Sequence, residues 1–153
     1  MAKFTAEQIV TVAAVQQLIN DWGYELDNHN GQNIADLVTE DCTYMGRGVP
    51  LQGRAAVVKF YKDRLEQLGA TPAGVPIHRH TLSNLRVKFG AVADTVSITF
   101  SLVYFTTAGM ASGTNHADPA AVADVRMNCR RDADGEWRIL MFDSNQSFKR
   151  VIA

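Results

Sequence analysis

The chain has 153 residues, 46% of them hydrophobic, and 15 Lys and Arg stand against 16 Asp and Glu. A chain of this size buries about 70% of the surface its unfolded form exposes, so one domain over residues 1–153 is expected. The near-neutral balance leaves no basic footprint for nucleic acid or an anionic membrane surface, and neither class of partner is expected.

Cys42 and Cys129 lack a CxxC spacing, so they read as reduced, buried thiols rather than zinc ligands or a disulfide framework. Residues 1–11 show no basic stretch followed by an apolar run, and no apolar run of ~18 residues occurs anywhere. A cytoplasmic protein is expected.

Thr5 followed by Gln8 has the pattern of a capping box. Val12, Val15, Ile19, Trp22 and Leu26 then recur at helical spacing, predicting a long amphipathic helix that ends near Asp27. Asn and Gly in residues 28–32 break it, and Ile34, Leu37 and Val38 suggest a short second helix before an extended stretch at 43–45. Residues 53–68 predict a third helix, with Val57, Phe60, Tyr61, Leu65 and Leu68 on its apolar face. Lys59, Lys62, Asp63, Arg64 and Glu66 read as its solvated face.

Residues 69–76 are rich in Gly, Ala and Pro and read as a loop, after which the chain reads as strand. Within residues 80–89, Leu85, Val87 and Phe89 alternate, while Leu82, Asn84, Arg86 and Lys88 share the parity of His80. Val96, Ile98, Phe100, Leu102 and Tyr104 alternate through residues 94–107, predicting a hairpin with the strand before. Residues 108–123 have no period and read as a long mobile loop, a candidate lid. A second hairpin follows, from Val125, Met127 and Cys129 through a turn at 132–135 to Trp137, Ile139 and Met141. These elements make an α+β fold: a curved, cone-shaped antiparallel sheet closed by N-terminal helices, with a natural ligand site at its mouth.

The chain has no P-loop, GxGxxG, GxSxG or HExxH motif, so phosphoryl transfer, dinucleotide redox, serine hydrolysis and zinc proteolysis find no support. What remains is a set of titratable residues in apolar settings. Asp27 follows Leu26 at the end of the first apolar stripe and reads either as a cavity carboxylate or as a solvated helix end. His78 and His80 precede a strand, where a histidine is either a catalyst or a plainly satisfied side chain. His29 and His116 read as exposed loop residues. An Asp bonded to a His holds one tautomer and leaves the other nitrogen available as a base, without a metal or cofactor. Trp22, Tyr24 and Tyr44 supply a phenol donor and flat walls, or else plain core.

Leu26-Asp27 at a helix end, the acidic-aromatic step at residues 41–44, His80 through Leu85 entering a strand, and Gly135-Glu136-Trp137-Arg138 after a turn together resemble the SnoaL-like branch of the NTF2-like superfamily. The likeness is to the group that includes scytalone dehydratase, hexachlorocyclohexane dehydrochlorinase and bile acid 7α-dehydratase, and it covers nearly the whole chain. It implies a cystatin-like α+β barrel and a homo-oligomer, a trimer or else a dimer, with Arg126, Asn128 and Arg130 on a face covered by another subunit.

It also implies a cofactor-independent lyase of the dehydratase or dehydrohalogenase type, or an isomerase, acting on a small hydrophobic cyclic molecule. Asp27 matches the family's carboxylate, His80 its base and Tyr44 its water-activating tyrosine, so of the two histidines His80 is expected inside and His78 elsewhere. Trp22, Tyr24, Tyr44 and Phe105 are expected to bind the substrate. Phe105 falls where the scytalone enzyme has a second histidine, and Asp124 and Arg126 fall where it has serine and asparagine. Trp22 and Phe142 fall where the dehydrochlorinase has a lysine and an arginine, so the substrate-specific groups do not carry over. The alternatives are a non-catalytic hydrophobic-ligand-binding module and a relative of the small subunit of ring-hydroxylating dioxygenases.

Overall fold

The computed structural model describes residues 4–46, 48–70, 74–108 and 118–149. Helix α1 (Ala6–His29) opens on a full capping box, in which the Gln8 N–H donates to Thr5 Oγ1 at 3.2 Å and the Thr5 N–H to Gln8 Oε1 at 3.0 Å. It runs past Asp27 to His29 and stops at Asn30, whose φ of 55° is left-handed. The expected second helix is a single 3₁₀ turn, Ile34–Leu37. Strand β1 (Val38–Gly46), the short β2 (Val49–Gln52) and α2 (Arg54–Gly69) follow, then β3 (His78–Phe89), β4 (Thr95–Thr106), β5 (Ala121–Arg131) and β6 (Trp137–Lys149).

The six strands form one sheet in the order β2-β1-β6-β5-β4-β3. The β1/β2, β3/β4, β4/β5 and β5/β6 pairings are antiparallel and come from chain neighbours, or nearly so. The β1/β6 pairing is parallel, which makes the sheet mixed. Residues far apart in sequence make that contact, and no turn chemistry announces it. Both expected hairpins are present.

Strand β3 carries a bulge. Its register with β4 slips between Ser83 and Arg86, and Asn84 sits at φ 58°. The extra residue resets the alternation: His78, His80 and Leu82 face inward before it, and Leu85, Val87 and Phe89 after it. Two rows that a straight strand would send to opposite faces therefore share the concave one.

Val15, Leu18, Ile19, Trp22 and Leu26 of α1 form one core with the inward rows of β4, β5 and β6, including Phe100, Val125, Met127, Ile139 and Phe142. At the far end of α1, Gly31 has φ 78°, and a Cβ there would stand 2.4 Å from the Tyr61 ring. That close approach seats α2 against the end of α1. No helix among the described residues is long and apolar enough to cross a membrane.

Candidate active site

Asp27 lies on the last turn of α1, where the helix passes over the start of β3. Its carboxylate takes two bonds from one residue: the His80 backbone N–H donates to Oδ2 at 2.9 Å, and His80 Nδ1 lies 2.6 Å from Oδ1. The two side chains are only 11% and 13% exposed. An ionised carboxylate only accepts, so Nδ1 carries a proton, and in the neutral imidazole Nε2 presents its lone pair. Nε2 has no hydrogen-bond partner among the described residues, and His80 lines a cavity.

That cavity has a volume of about 170 Å³, close to the ~150 Å³ cavity that accepts benzene. Trp22, Leu26, Leu102 and Phe142 supply apolar wall. Beside them, the Trp22 indole N–H donates to Tyr44 Oη at 3.0 Å, and the Tyr44 and Tyr61 hydroxyls are 2.7 Å apart. The bond between the two phenols uses one of their two hydrogens. Burial, and then the neighbouring Tyr61, push the Tyr44 hydroxyl well above its usual range, so it stays protonated and acts as a donor or acceptor rather than a base.

A third polar group begins with Tyr104, the cross-strand partner of His80, whose ring lies 4.9 Å from the imidazole. Its hydroxyl is 2.6 Å from His78 Nδ1, and His78 Nε2 is 3.5 Å from an Arg64 terminal nitrogen. Arg64 and Tyr61 sit at i,i+3 on α2, and both line the cavity.

Residues 7–143 match the family model of the SnoaL-like domain. The chain belongs to the SnoaL-like family. No curated protein matches it in sequence. ActVI-ORFA from Streptomyces coelicolor is 15% identical with a TM-score of 0.76, over 94% of this chain and 99% of that one. A type 2 hexachlorocyclohexane dehydrochlorinase is 16% identical with a TM-score of 0.71, covering 95% and 91% of the two chains. A protein of Novosphingobium aromaticivorans, provisionally named a scytalone dehydratase, is 18% identical with a TM-score of 0.73, covering 98% and 94%. Another from that organism is described as NTF2-like with a cystatin-like fold, at 22% identity and a TM-score of 0.70 over 92% and 84% of the chains. These likenesses establish the shared α+β fold.

Within this SnoaL-like cavity the structure brings Asp27, His80, Trp22 and Tyr44 together, but not Tyr24 or Phe105. Tyr24 is 62% exposed and packs on His29, because two residues along a helix carry it about 200° around from Trp22. Phe105 pairs with Arg79 on the outer face; by strand alternation the inward place opposite His80 belongs to Tyr104. His78 does not point elsewhere. It shares the face of His80 two residues on and is 3% exposed, beside Tyr104.

His29 is bonded through Nδ1 to Glu25 at 2.7 Å. His116 lies outside the described residues, as does 109–117 of the expected lid, and β5 already begins at Ala121. Cys42 and Cys129 are free and buried, and burial pushes the Cys129 thiol up to about 12. Among the described residues no group of three or more His, Cys, Asp and Glu is placed to hold a metal ion. Sequence reasoning missed Tyr61 and Arg64 as cavity residues, and it missed the buried Glu25.

Proposed function

We propose that the chain is a lyase of the dehydratase or dehydrohalogenase type, or an isomerase, that works by proton abstraction from a small hydrophobic cyclic substrate. The observation that carries this reading is His80 fixed by Asp27 through both Nδ1 and the backbone N–H, with Nε2 unpartnered among the described residues at a cavity of aromatic-ring size. In this mechanism Nε2 takes a proton from the carbon next to an activating carbonyl, and the C–H electron pair moves onto the carbonyl oxygen. Tyr44, accepting from Trp22 and Tyr61, donates its phenol hydrogen to that oxygen. As the enolate collapses, the bond to the leaving group on the neighbouring carbon breaks with its electron pair. The imidazolium returns its proton to a departing hydroxide, to solvent when the leaving group is a halide, or to carbon when the reaction is an isomerisation and nothing departs.

Asp27 stabilises the imidazolium between the two steps. Family membership and the neighbouring dehydrochlorinase and dehydratase names support the reaction class. The same reading takes the chain to be a homo-oligomer, a trimer or a dimer, which light scattering tests directly.

Exchange of the α-protons of cyclohexanone in D₂O, followed by proton NMR, tests the chemistry. Catalysed exchange that disappears in His80→Ala is the expected result. Binding of cyclohexanone with no exchange above the buffer rate would leave a ligand-binding module instead.

A further inference from the structure

Arg64 is out of keeping with a cavity built for a neutral hydrocarbon. It sits on the cavity-facing stripe of α2 with Tyr61, and its Nε is buried without a hydrogen-bond partner. All 16 acidic side chains of the protein are among the described residues, and none forms an ion pair with Arg64. A buried guanidinium donor left unpaired is costly, and an anion in the cavity would complete it. Its contact to His78 does not complete it, because imidazole is neutral when it accepts.

That contact has a second consequence. Arg64 only donates, so His78 Nε2 accepts from it, and His78 Nδ1 then carries the proton that goes to Tyr104 Oη at 2.6 Å. The hydroxyl hydrogen of Tyr104, which also lines the cavity, is thereby directed to another acceptor. The cavity therefore offers a forked cation and a neutral O–H donor, the pairing that suits a carboxylate.

We propose that Arg64 and Tyr104 form an anion subsite, so that the substrate is a small cyclic carboxylic acid, held by its carboxylate while its ring lies against His80. The substrate class rests on the proposed function, but the subsite is tested by binding alone. Benzoate and benzamide match in shape and differ in charge, and the cavity has room for one ring. In NMR titrations of the full chain, benzoate is expected to bind about tenfold or more tightly than benzamide, as a charge-assisted bidentate contact would give.

Arg64→Gln should bring the two affinities within about twofold of each other, and Tyr104→Phe should narrow the gap. Equal affinities in the wild-type chain, no benzoate binding, or a preference that survives in Arg64→Gln would each overturn the subsite. The wild-type comparison decides even if Arg64→Gln does not fold. A failed proton-exchange experiment with the benzoate preference intact would sink the catalytic reading and leave the subsite standing.

Discussion

Two carboxylate–imidazole pairs of nearly equal length hang from the end of α1, and only one of them belongs to the cavity. Asp27 meets His80 at 2.6 Å and Glu25 meets His29 at 2.7 Å. The difference lies in what else each group touches. His29 is 46% exposed and comes from the same helix turn as its partner, while the buried Glu25 carboxylate also accepts from the Asn33 backbone N–H at 2.7 Å and from its side chain. That pair fastens the loop after α1, with the histidine as an outer member.

His80 comes from a strand 53 residues away, is largely buried, and stands between Trp22 and Tyr104 at the cavity wall. A short Asp–His or Glu–His distance is thus no evidence of a site. A ring whose second nitrogen faces a cavity is.

The sharpest way to break this comparison is to remove the two histidines separately. His80→Ala should lower the exchange rate by ~10²–10⁴-fold, the usual contribution of a general base. His29→Ala should leave the rate within about twofold of wild type, since removing an exposed surface partner changes little. A comparable loss of exchange in both variants, with native circular dichroism, would mean that the cavity pair has no special role.

The carboxylates should separate along a different axis. Asp27→Asn keeps the shape, but its amide can donate where the carboxylate accepted, so His80 loses its enforced tautomer and the support for its imidazolium. The exchange rate should fall roughly 10–100-fold, as when other histidine-orienting partners are removed. Glu25→Gln instead turns an amide donor toward groups that need an acceptor. It should destabilise the chain by about 1–3 kcal/mol in urea unfolding while sparing the rate of the folded protein. If Glu25→Gln lost activity without losing stability, the assignment of its pair to structure would fail.

How far the site was legible follows from the same contrast. Apolar periodicity announces α1, α2 and both hairpins, because each apolar row must find the core. The β1/β6 pairing joins distant segments and leaves no local mark, and the bulge at Asn84 lets His80 share a face with Val87 against their parity. Asp27 and His80 were placed by resemblance to a family, not by spacing.

Arg64 and Tyr104 were legible in principle. Arg64 falls on the stripe of Val57, Phe60 and Tyr61, and Tyr104 ends the row from Val96 through Leu102. Arg64 was sorted by charge onto the solvated face because charged side chains are rarely buried. A polar residue interrupting an apolar row is the stronger signal, since the row has already fixed where its side chain goes.

A third pair supplies the exposed limit of the series and the smallest expected effect. On the outer side, Asp41 of β1 receives both terminal nitrogens of Arg130 on β5, at 3.0 and 2.8 Å, and Arg130 Nε reaches Asp132 at 3.1 Å. The Arg130 guanidinium holds the Asp41 carboxyl down at about 2. A depressed folded-state value means that the pair stabilises the chain above the ordinary carboxylate range near 3.8, and that this support is lost as the pH falls through about 2. Asp41 is 60% exposed, so solvent screens most of that shift, and Asp41→Asn should cost only about 0.2–1 kcal/mol at neutral pH. Urea unfolding of both proteins from pH 7 downward should show the gap constant to about pH 4 and closing toward pH 2. A gap that widens with acid would mean that the variant is weakened through something other than this carboxylate.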